Sequence, residues 1–306
     1  MEILASVLPV FIMLFLGVLS RKTGLISEEG MNGIKSLAVN IMLPVVFVNA
    51  LGLAPYSGDT LIIFIVMFSV LLLNSAIGAL LRKVVKFGKY LPILLTTFEG
   101  GMIGYPLFIS MRGIDHLTEI VRIDLGQDVF AGTVAIVILH ALQGGDKKLT
   151  LKDITTPILR TPVMWGIMLG IVLGITGIIP QIVASPIGPV YSSIVSMITM
   201  PVAAVILVSV GYDFKMEASV QTAAIKICLT RLIVMSAMLF IVVQIFQMIG
   251  VYEELKTAIL LYMFLPPFFM GPMFIHDAAD RSLASTVISM YVIISLIAYT
   301  VLTAIL

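Results

Sequence analysis

Long apolar runs alternate with short polar breaks along almost the whole chain. A helix needs about 20 apolar residues to cross a hydrocarbon core of roughly 30 Å, and each run approaches that length. The breaks between the runs carry charges, or the turn residues glycine and proline. The pattern predicts an all-α integral membrane protein with ten transmembrane helices, at residues 3–20, 34–53, 60–81, 91–111, 126–143, 161–180, 188–210, 225–249, 256–275 and 284–305.

Composition strengthens the membrane assignment. Hydrophobic residues make up 60% of the chain and charged residues only 11%, with a mean hydropathy of +1.15. A soluble protein carries roughly 25% charged residues, so lipid has to cover most of this exterior. The net charge of +1 gives no indication of a nucleic-acid partner, and the single cysteine, Cys228, excludes an internal disulfide framework. The chain lacks a P-loop, a zinc motif and a serine-nucleophile elbow, so neither an enzyme nor a cofactor is predicted.

Basic residues predict the orientation in the membrane. Residues 1–20 lack a basic n-region and a small-residue cleavage site, so we interpret the first run as a retained helix. With the N-terminus outside the cell membrane, only Arg112, Arg122 and Lys256 fall in outer loops. Because inner loops carry the excess of lysine and arginine, both termini are predicted to be extracytoplasmic. The inner loops then hold Arg21, Lys22, Lys35, Arg82, Lys83, Lys86, Lys89, Lys147, Lys148, Lys152, Arg160, Lys215 and Arg281.

The chain also contains an internal repeat. Pro9, Gly17 and Thr23-Gly24 recur at an offset of 153 as Pro162, Gly170 and Thr176-Gly177, and Pro44-Val45 recurs at an offset of 157 as Pro201-Val202. Pro106-Leu107-Phe108 recurs at an offset of 166 as Pro272-Met273-Phe274. Because each half has an odd number of spans, the halves cross the membrane in opposite senses, as in many secondary transporters. We predict a first repeat at 1–143, a cytoplasmic linker at 144–160 and an inverted second repeat at 161–306.

Two interrupted helices mark the predicted binding site. Proline removes a helix donor and glycine tolerates unwound backbone, and both residues are concentrated in the fourth span of each half. Gly/Pro-interrupted spans at equivalent positions indicate the binding site of such transporters, where free N–H groups favour an anion. The substrate- or ion-binding candidates here are Glu99, Gly100, Gly101, Gly104 and Pro106 in the first half and Pro266, Pro267, Gly271 and Pro272 in the second.

These motifs resemble the auxin efflux carrier family, which includes bacterial malate and malonate permeases. The family's first crossover reads Asn-x-Gly-x-x-Gly-x-Pro, and this chain has Gly101, Gly104 and Pro106 at the glycine and proline positions. It departs from the pattern at Glu99, which stands in the place of the asparagine. The final segment, which begins PPFFMGPMFIHDAADRSLAS, resembles the family's last two helices.

The resemblance implies a fold like that of sodium/proton antiporters and bile-acid symporters, in which the fourth and ninth helices are broken and cross. It implies a scaffold of helices 1, 2, 6 and 7, which often forms a homodimer. Helices 3–5 and 8–10 would form the transport region. The substrates implied by the family are small carboxylates such as malate, malonate or auxin.

Glu99 is the sharpest single feature of the sequence. A carboxylate inside a membrane is costly and is by default a functional candidate. Glu99 could carry a coupling proton or help to bind Na⁺ as an unassigned metal site, and a structural pairing with a neighbouring helix is the alternative. A carboxylate would also repel an anionic substrate unless it is neutralised.

Other polar residues inside apolar runs are weaker candidates. Asn40 and Asn49 are interpreted as interhelical hydrogen-bonding residues, whereas Asn74 on the third span is added to the binding candidates. Asp124, Gln127 and Asp128 are expected to cap the start of the fifth span, with Asp128 also a candidate for coupling or gating. Arg231 is expected to snorkel to the interface, or to pair with a carboxylate or substrate.

The turn between the last two spans carries a small polar cluster. His276, Asp277, Asp280 and Arg281 are expected to be solvated turn residues, and Asp277 is kept as a gating candidate.

Taken together, the sequence predicts a secondary carrier of a small organic anion, moving elevator-like and coupled to H⁺ or Na⁺. The alternatives are a cation-coupled carrier of a neutral or cationic solute and a non-transporting membrane receptor.

Overall fold

The computed structural model describes residues 2–54, 58–85, 88–142, 162–269 and 271–305, and every regular element in these ranges is helical. The predicted linker at 144–160 lies outside the described residues. The α-helices are α1 Glu2–Thr23, α2 Glu28–Leu37, α3 Leu43–Leu53, α4 Gly58–Leu81, α5 Leu91–Leu94, α6 Tyr105–Arg112, α7 Leu117–Gly132, α8 Val134–Leu142, α9 Pro162–Ile175, α10 Ile178–Ala184, α11 Gly188–Thr199, α12 Val202–Asp213, α13 Gln221–Met248, α14 Tyr252–Tyr262 and α15 Ala278–Ile305.

Several of these helices are membrane-spanning candidates. Five helical stretches within the described ranges are long and apolar enough to cross a membrane, and a bent pair makes a sixth. The five are Glu28–Leu53, Gly58–Leu81, Gly188–Asp213, Ala218–Met248 and Ala278–Ile305. The helical membrane class is thus confirmed, whereas the count of ten spans and the inverted repeat stay predictions.

The bent pair corrects the expected sixth span. Residues 161–180 are predicted as one transmembrane helix, but the region consists of two helices, α9 and α10, which meet at an angle of 72°. Gly177 lies at the break with φ +70°, a left-handed conformation that glycine adopts without steric cost. The backbone at Gly177 therefore supplies a cause for the bend.

Two π-helical turns precede prolines inside apolar stretches. One covers Ala38–Met42 ahead of Pro44, and the other covers Gly100–Gly104 ahead of Pro106. A proline ring clashes with the carbonyl four residues earlier, and a wider turn relieves that clash. The predicted fourth span is interrupted in addition at 95–99, and the ninth at 263–269, where the backbone forms no helix.

The chain divides into two compact units that do not follow the sequence order of the repeats. The first unit contains Met1–Gly58, Gly101–Val121 and Thr156–Phe214, and the second contains Asp59–Gly100, Arg122–Thr155 and Lys215–Leu306. The predicted division of the chain into scaffold and transport regions concerns movement and stays a prediction.

Glycines bring helices of the first unit into close contact. A Cβ atom built on Gly17 of α1 would lie 2.1 Å from the Val208 carbonyl oxygen of α12, and one on Gly211 would lie 2.0 Å from the Leu14 oxygen. On α9, a Cβ on Gly170 would lie 2.7 Å from the Phe47 oxygen of α3. Small residues of this kind let membrane helices approach backbone to backbone. The first unit therefore depends on glycine at these contacts.

Polar groups of the first unit pair between its helices. Lys35 Nζ donates to Asp213 Oδ1 at 2.6 Å, and Tyr191 Oη donates to Asn49 Oδ1 at 3.1 Å. The interhelical role expected for Asn49 is thereby confirmed. The same expectation is wrong for Asn40, whose amide donates at 2.9 Å to Ser36, one turn earlier on the same helical stretch.

Within the second unit, glycines again mark close contacts. A Cβ built on Gly78 of α4 would lie 2.7 Å from the Leu91 oxygen of α5, and Gly126 of α7 lies against the backbone of α4 at Phe68. The fifth predicted span begins earlier than expected, because α7 starts at Leu117 and not at residue 126. Asp124 and Asp128 consequently lie well inside a helix, and the expectation that they cap its start is wrong.

The glycine contacts of the first unit can be tested by adding one methyl group. We expect Gly17→Ala to destabilise the protein by about 1–3 kcal/mol, because the new Cβ would overlap backbone atoms. Gly33→Ala is the matched control, since a Cβ built on Gly33 meets nothing within 4 Å. That change should be neutral, or stabilising by up to about 1 kcal/mol through helix propensity. Thermal unfolding in detergent measures both, and equal melting temperatures would contradict the packing described here.

Candidate functional site

The two interrupted segments of the second unit are joined through their backbones. The Glu99 N–H donates to the Pro266 carbonyl oxygen at 2.9 Å, although neither residue belongs to a helix. The Phe268 N–H donates to Thr97 Oγ1 at 3.3 Å. Unwound backbone at membrane depth must find such partners, because hydrocarbon offers none. The sequence-predicted residues Glu99 and Pro266 are therefore brought into direct contact.

Glu99 also contributes its side chain to this junction. Its Oε2 atom accepts a hydrogen bond of 2.7 Å from the Phe269 N–H, and the residue is only 4% exposed. A free N–H of an interrupted helix was expected to bind an anionic substrate. In this structure the chain's own carboxyl group takes that N–H, which corresponds to the structural-pairing alternative for Glu99.

Arg231 of α13 lies against the same two segments. Its guanidinium donates to the carbonyl oxygens of Leu94, of Thr97 at 2.8 Å and of Leu265 at 3.0 Å. The side chain is completely buried, so the expectation that it snorkels to the interface is wrong. A guanidinium can satisfy several carbonyls because it presents five N–H donors in a planar fork.

Aromatic rings lie on the guanidinium as well. The Arg231 Cζ atom is 4.9 Å from the ring centroid of Phe98 and 4.9 Å from that of Tyr291. Cations are attracted to aromatic faces within about 6 Å, and the attraction is stronger when water is excluded. The positive charge is thus stabilised by carbonyl dipoles and by two rings.

A cluster of buried carboxyl groups lies in the second unit. Asp124 of α7 is 2% exposed and accepts a hydrogen bond of 2.6 Å from Tyr262 Oη of α14. Asp128 lies one turn further along α7 and is half-buried. Glu99 and Asp124 are both buried in this unit, and burial of a carboxyl group favours its neutral, protonated form.

Some buried polar atoms near these residues have no partner among the described residues. They include both side-chain atoms of Asn74, Gln127 Oε1 and Asp128 Oδ2. Asn74 is completely buried on α4, next to Ser75, whose hydroxyl donates to the Pro92 oxygen at 3.3 Å. A buried polar group without a hydrogen bond costs free energy, so these atoms are candidates to bind solute, ion or water.

Gly100 connects the crossing to this carboxyl cluster. A Cβ atom built there would lie 1.9 Å from Asp124 Oδ2, so any larger residue at this position requires that carboxyl group to shift. The predicted residue Gly271 differs, because a Cβ there would meet nothing within 4 Å. Of these two glycines from the interrupted spans, only Gly100 has a close neighbour that a side chain would displace.

A small apolar cavity in the second unit lies beside the second interrupted segment. Pro267, Gly271 and Pro272 line it together with Tyr90 and Thr97. The cavity has room for about one water molecule, so a dicarboxylate does not fit in it. The predicted residues Pro267, Gly271 and Pro272 are thus brought together, away from solute-sized space.

The remaining predicted residues lie elsewhere. Gly101, Gly104 and Pro106 belong to the first unit, where the Tyr105 ring packs edge-on against Phe47 with centroids 5.6 Å apart. Asp277 accepts a hydrogen bond of 2.9 Å from the Asp280 N–H and so caps α15, as expected for a turn residue, whereas its gating role stays a prediction.

An ion pair joins the loop before α5 to the start of α15. Lys89 Nζ lies 3.1 Å from Asp280 Oδ2, and this hydrogen bond raises the pKa of Lys89 above its ordinary value. Both side chains are partly exposed. Exposed pairs of this kind contribute little to stability, so the bond positions the loop more than it stabilises the fold.

Several residues of the site could not be identified from the sequence. Thr97, Tyr262 and Tyr291 are ordinary residues of apolar runs, and only the structure brings them to Phe268, Asp124 and Arg231 respectively. Within the described residues, no three His, Cys, Asp or Glu side chains are arranged to hold a metal ion. The site is therefore built from backbone groups, carboxyls, aromatic hydroxyls and one guanidinium.

The contact between Gly100 and Asp124 gives a direct test of the site geometry. We expect Gly100→Ala to lower the melting temperature, because its methyl group would displace the Asp124 carboxyl. Gly271→Ala is the matched control on the other interrupted segment and should melt like the unchanged protein. The proteins are compared in the same detergent. A Gly100→Ala protein as stable as the Gly271→Ala protein would contradict the close contact.

Comparison with known proteins agrees with the membrane assignment. Residues 2–144 match the model of a family described as membrane transport protein. Over 199 residues the chain is 22% identical to an uncharacterized transporter of Methanothermobacter thermautotrophicus, a match that covers 63% of this chain and 64% of the relative. The chain thus spans somewhat less than two thirds of that curated relative. The family match thus covers residues 2–144, somewhat less than half of the chain, and it agrees with the resemblance of the first crossover motif to the auxin efflux carrier family.

Proposed function

We propose that this protein is a secondary transporter that carries a small organic anion across the cell membrane. The proposal depends on one observation above all, the direct bonding of two interrupted segments through Glu99. Its N–H and its carboxyl group both engage the second segment, at Pro266 and Phe269. Broken helices at corresponding positions are where such transporters bind substrate and coupling ion.

The proposed architecture has ten spans in two inverted halves, with both termini outside and a homodimer through the scaffold helices. Two contacts in the first unit correspond to each other under the internal repeat, which supports the proposed inverted halves. Gly17 approaches Val208, and Gly170 approaches Leu51, with Cβ positions at 2.1 and 2.9 Å. The repeat offsets of 153 and 157 relate Gly17 to Gly170 and Leu51 to Val208. In this proposal the transport region moves elevator-like against the scaffold.

Malate and malonate are the proposed substrates, by analogy with the family. Coupling to H⁺ or Na⁺ is assigned to Glu99, which is buried in the same unit as Asp124. A protonated carboxyl keeps an acceptor oxygen, so Glu99 could still accept from the Phe269 N–H after it gains a proton. The charge of the site could therefore change without breaking the junction.

A second candidate is a cation-coupled carrier of a neutral or cationic solute. The buried carboxyls Glu99 and Asp124 and the half-buried Asp128 favour it, because they would repel an anion unless they are neutralised. Asn74 and Gln127 offer amide groups that suit a neutral solute. The two candidates differ in what the charge of Glu99 does, so a single substitution separates them.

The test uses purified protein in liposomes, with a pH gradient or a Na⁺ gradient and the membrane potential clamped. For each proton carried, about 1 pH unit supports up to about tenfold accumulation of malate or malonate. Absence of gradient-driven uptake of either carboxylate would remove the basis of the anion proposal.

Glu99→Gln keeps the acceptor oxygen and removes the titratable charge. We expect it to abolish gradient-driven accumulation while leaving carboxylate binding and the fold in place. Glu253→Gln is the matched control, since Glu253 is an exposed carboxylate at the start of α14, and it should transport normally. Selective loss of binding of a cationic solute would instead support the second candidate.

A further inference from the structure

The Arg231 guanidinium lies against backbone carbonyl groups of the two interrupted segments and of the helix before the first. The carbonyl oxygens of Leu94 and Thr97 come from the first interrupted segment and its preceding helix, and that of Leu265 comes from the second. In transporters with discontinuous helices, freed carbonyls of this kind coordinate the coupling Na⁺. Here all three carbonyls accept hydrogen bonds from one guanidinium.

The guanidinium is well suited to replace a bound cation. Arginine keeps its charge in proteins and is more weakly hydrated than an ammonium group, so it tolerates burial among carbonyls and rings. Arg231 is 0% exposed and lies 4.9 Å from the ring centroids of both Phe98 and Tyr291. The side chain therefore supplies a permanent positive charge and satisfies the freed carbonyls together.

A sodium ion at the same carbonyls would have to displace the guanidinium or lie beside it. Displacement would leave a buried, unsatisfied arginine, and adjacency would place two positive charges within a few ångströms. The titratable groups that interact with Arg231 are Cys228, Tyr262 and Tyr291, none of which carries a carboxylate charge to offset a second cation. Both arrangements are unfavourable.

We propose that Arg231 is the built-in cation of this crossing and that the protein binds no Na⁺ there. Given the transport function proposed above, on which this reading of the coupling rests, a proton is then the mobile ion. The buried carboxyls of Glu99 and Asp124 carry it, Glu99 being bonded to the Phe269 N–H and Asp124 to the Tyr262 hydroxyl. Arg231 is a positioning residue in this scheme, because it holds the two segments together and occupies the cation position.

The experiment compares thermal unfolding of purified protein in NaCl and in choline chloride at equal ionic strength. The unchanged protein should melt at the same temperature in both salts. Arg231→Met removes the charge but keeps a long side chain. In choline chloride, its melting temperature should be several degrees below that of the unchanged protein. Sodium should raise its melting temperature saturably, because the three carbonyls become available to a small cation.

Arg122→Met is the matched control. Arg122 is also a buried arginine of the second unit, at 2% exposed, but it pairs with the Glu254 carboxylate and not with unwound backbone. Its loss should destabilise the protein without creating a response to Na⁺. A Na⁺ response of equal size in both variants would overturn the proposal.

Two further results keep the proposal open to refutation. Saturable stabilisation of the unchanged protein by Na⁺ overturns it, even if Arg231→Met fails to fold. Arg231→Lys retains a buried cation and should stay insensitive to Na⁺, whereas a Na⁺ response in this variant counts against the proposal. The measurement is of binding, so a failure of carboxylate flux in liposomes would reject the proposed function without altering the Na⁺ result.

Discussion

The structure depends on one constraint, that unwound backbone inside a membrane must find its hydrogen-bond partners within the protein. Two apolar helices of this chain are interrupted, and each interruption frees N–H and C=O groups. Glu99 and Thr97 accept from the freed N–H groups of Phe269 and Phe268, and Arg231 donates to freed carbonyls. The hydrogen bonds of Glu99, Thr97 and Arg231 meet this requirement in the second unit.

The same residues give the crossing its charge. The Arg231 guanidinium donates to backbone carbonyls of both interrupted segments, and the carboxyls of Glu99 and Asp124 are buried in the same unit. A permanent cation cannot act as a switch, whereas a carboxyl group changes its charge by binding one proton. In the transporter proposed above, this division of roles would let the crossing stay intact while a carboxyl group responds to an ion gradient.

The sequence predicted the breaks but not what fills them. Glycine and proline act locally, so the interruptions around Glu99 and Pro266 are visible in one dimension. The environment of Arg231 is not visible in the sequence. Its position near the end of an apolar run indicates snorkelling, whereas its carbonyl partners lie far away in sequence. Asp124 was missed for a related reason. Its charge suggested a helix start, yet α7 continues through it and buries it against Tyr262.

Amide hydrogen exchange across the second interrupted segment tests the account most directly. The segment 263–269 is not helical, so its amides would exchange rapidly if they were only hydrated loop groups. We predict that the amides of Phe268 and Phe269 exchange slowly in lipid nanodiscs, and that protection falls when Arg231 is replaced by methionine. Rapid exchange at both amides in the unchanged protein would contradict the hydrogen-bonded crossing on which the account rests.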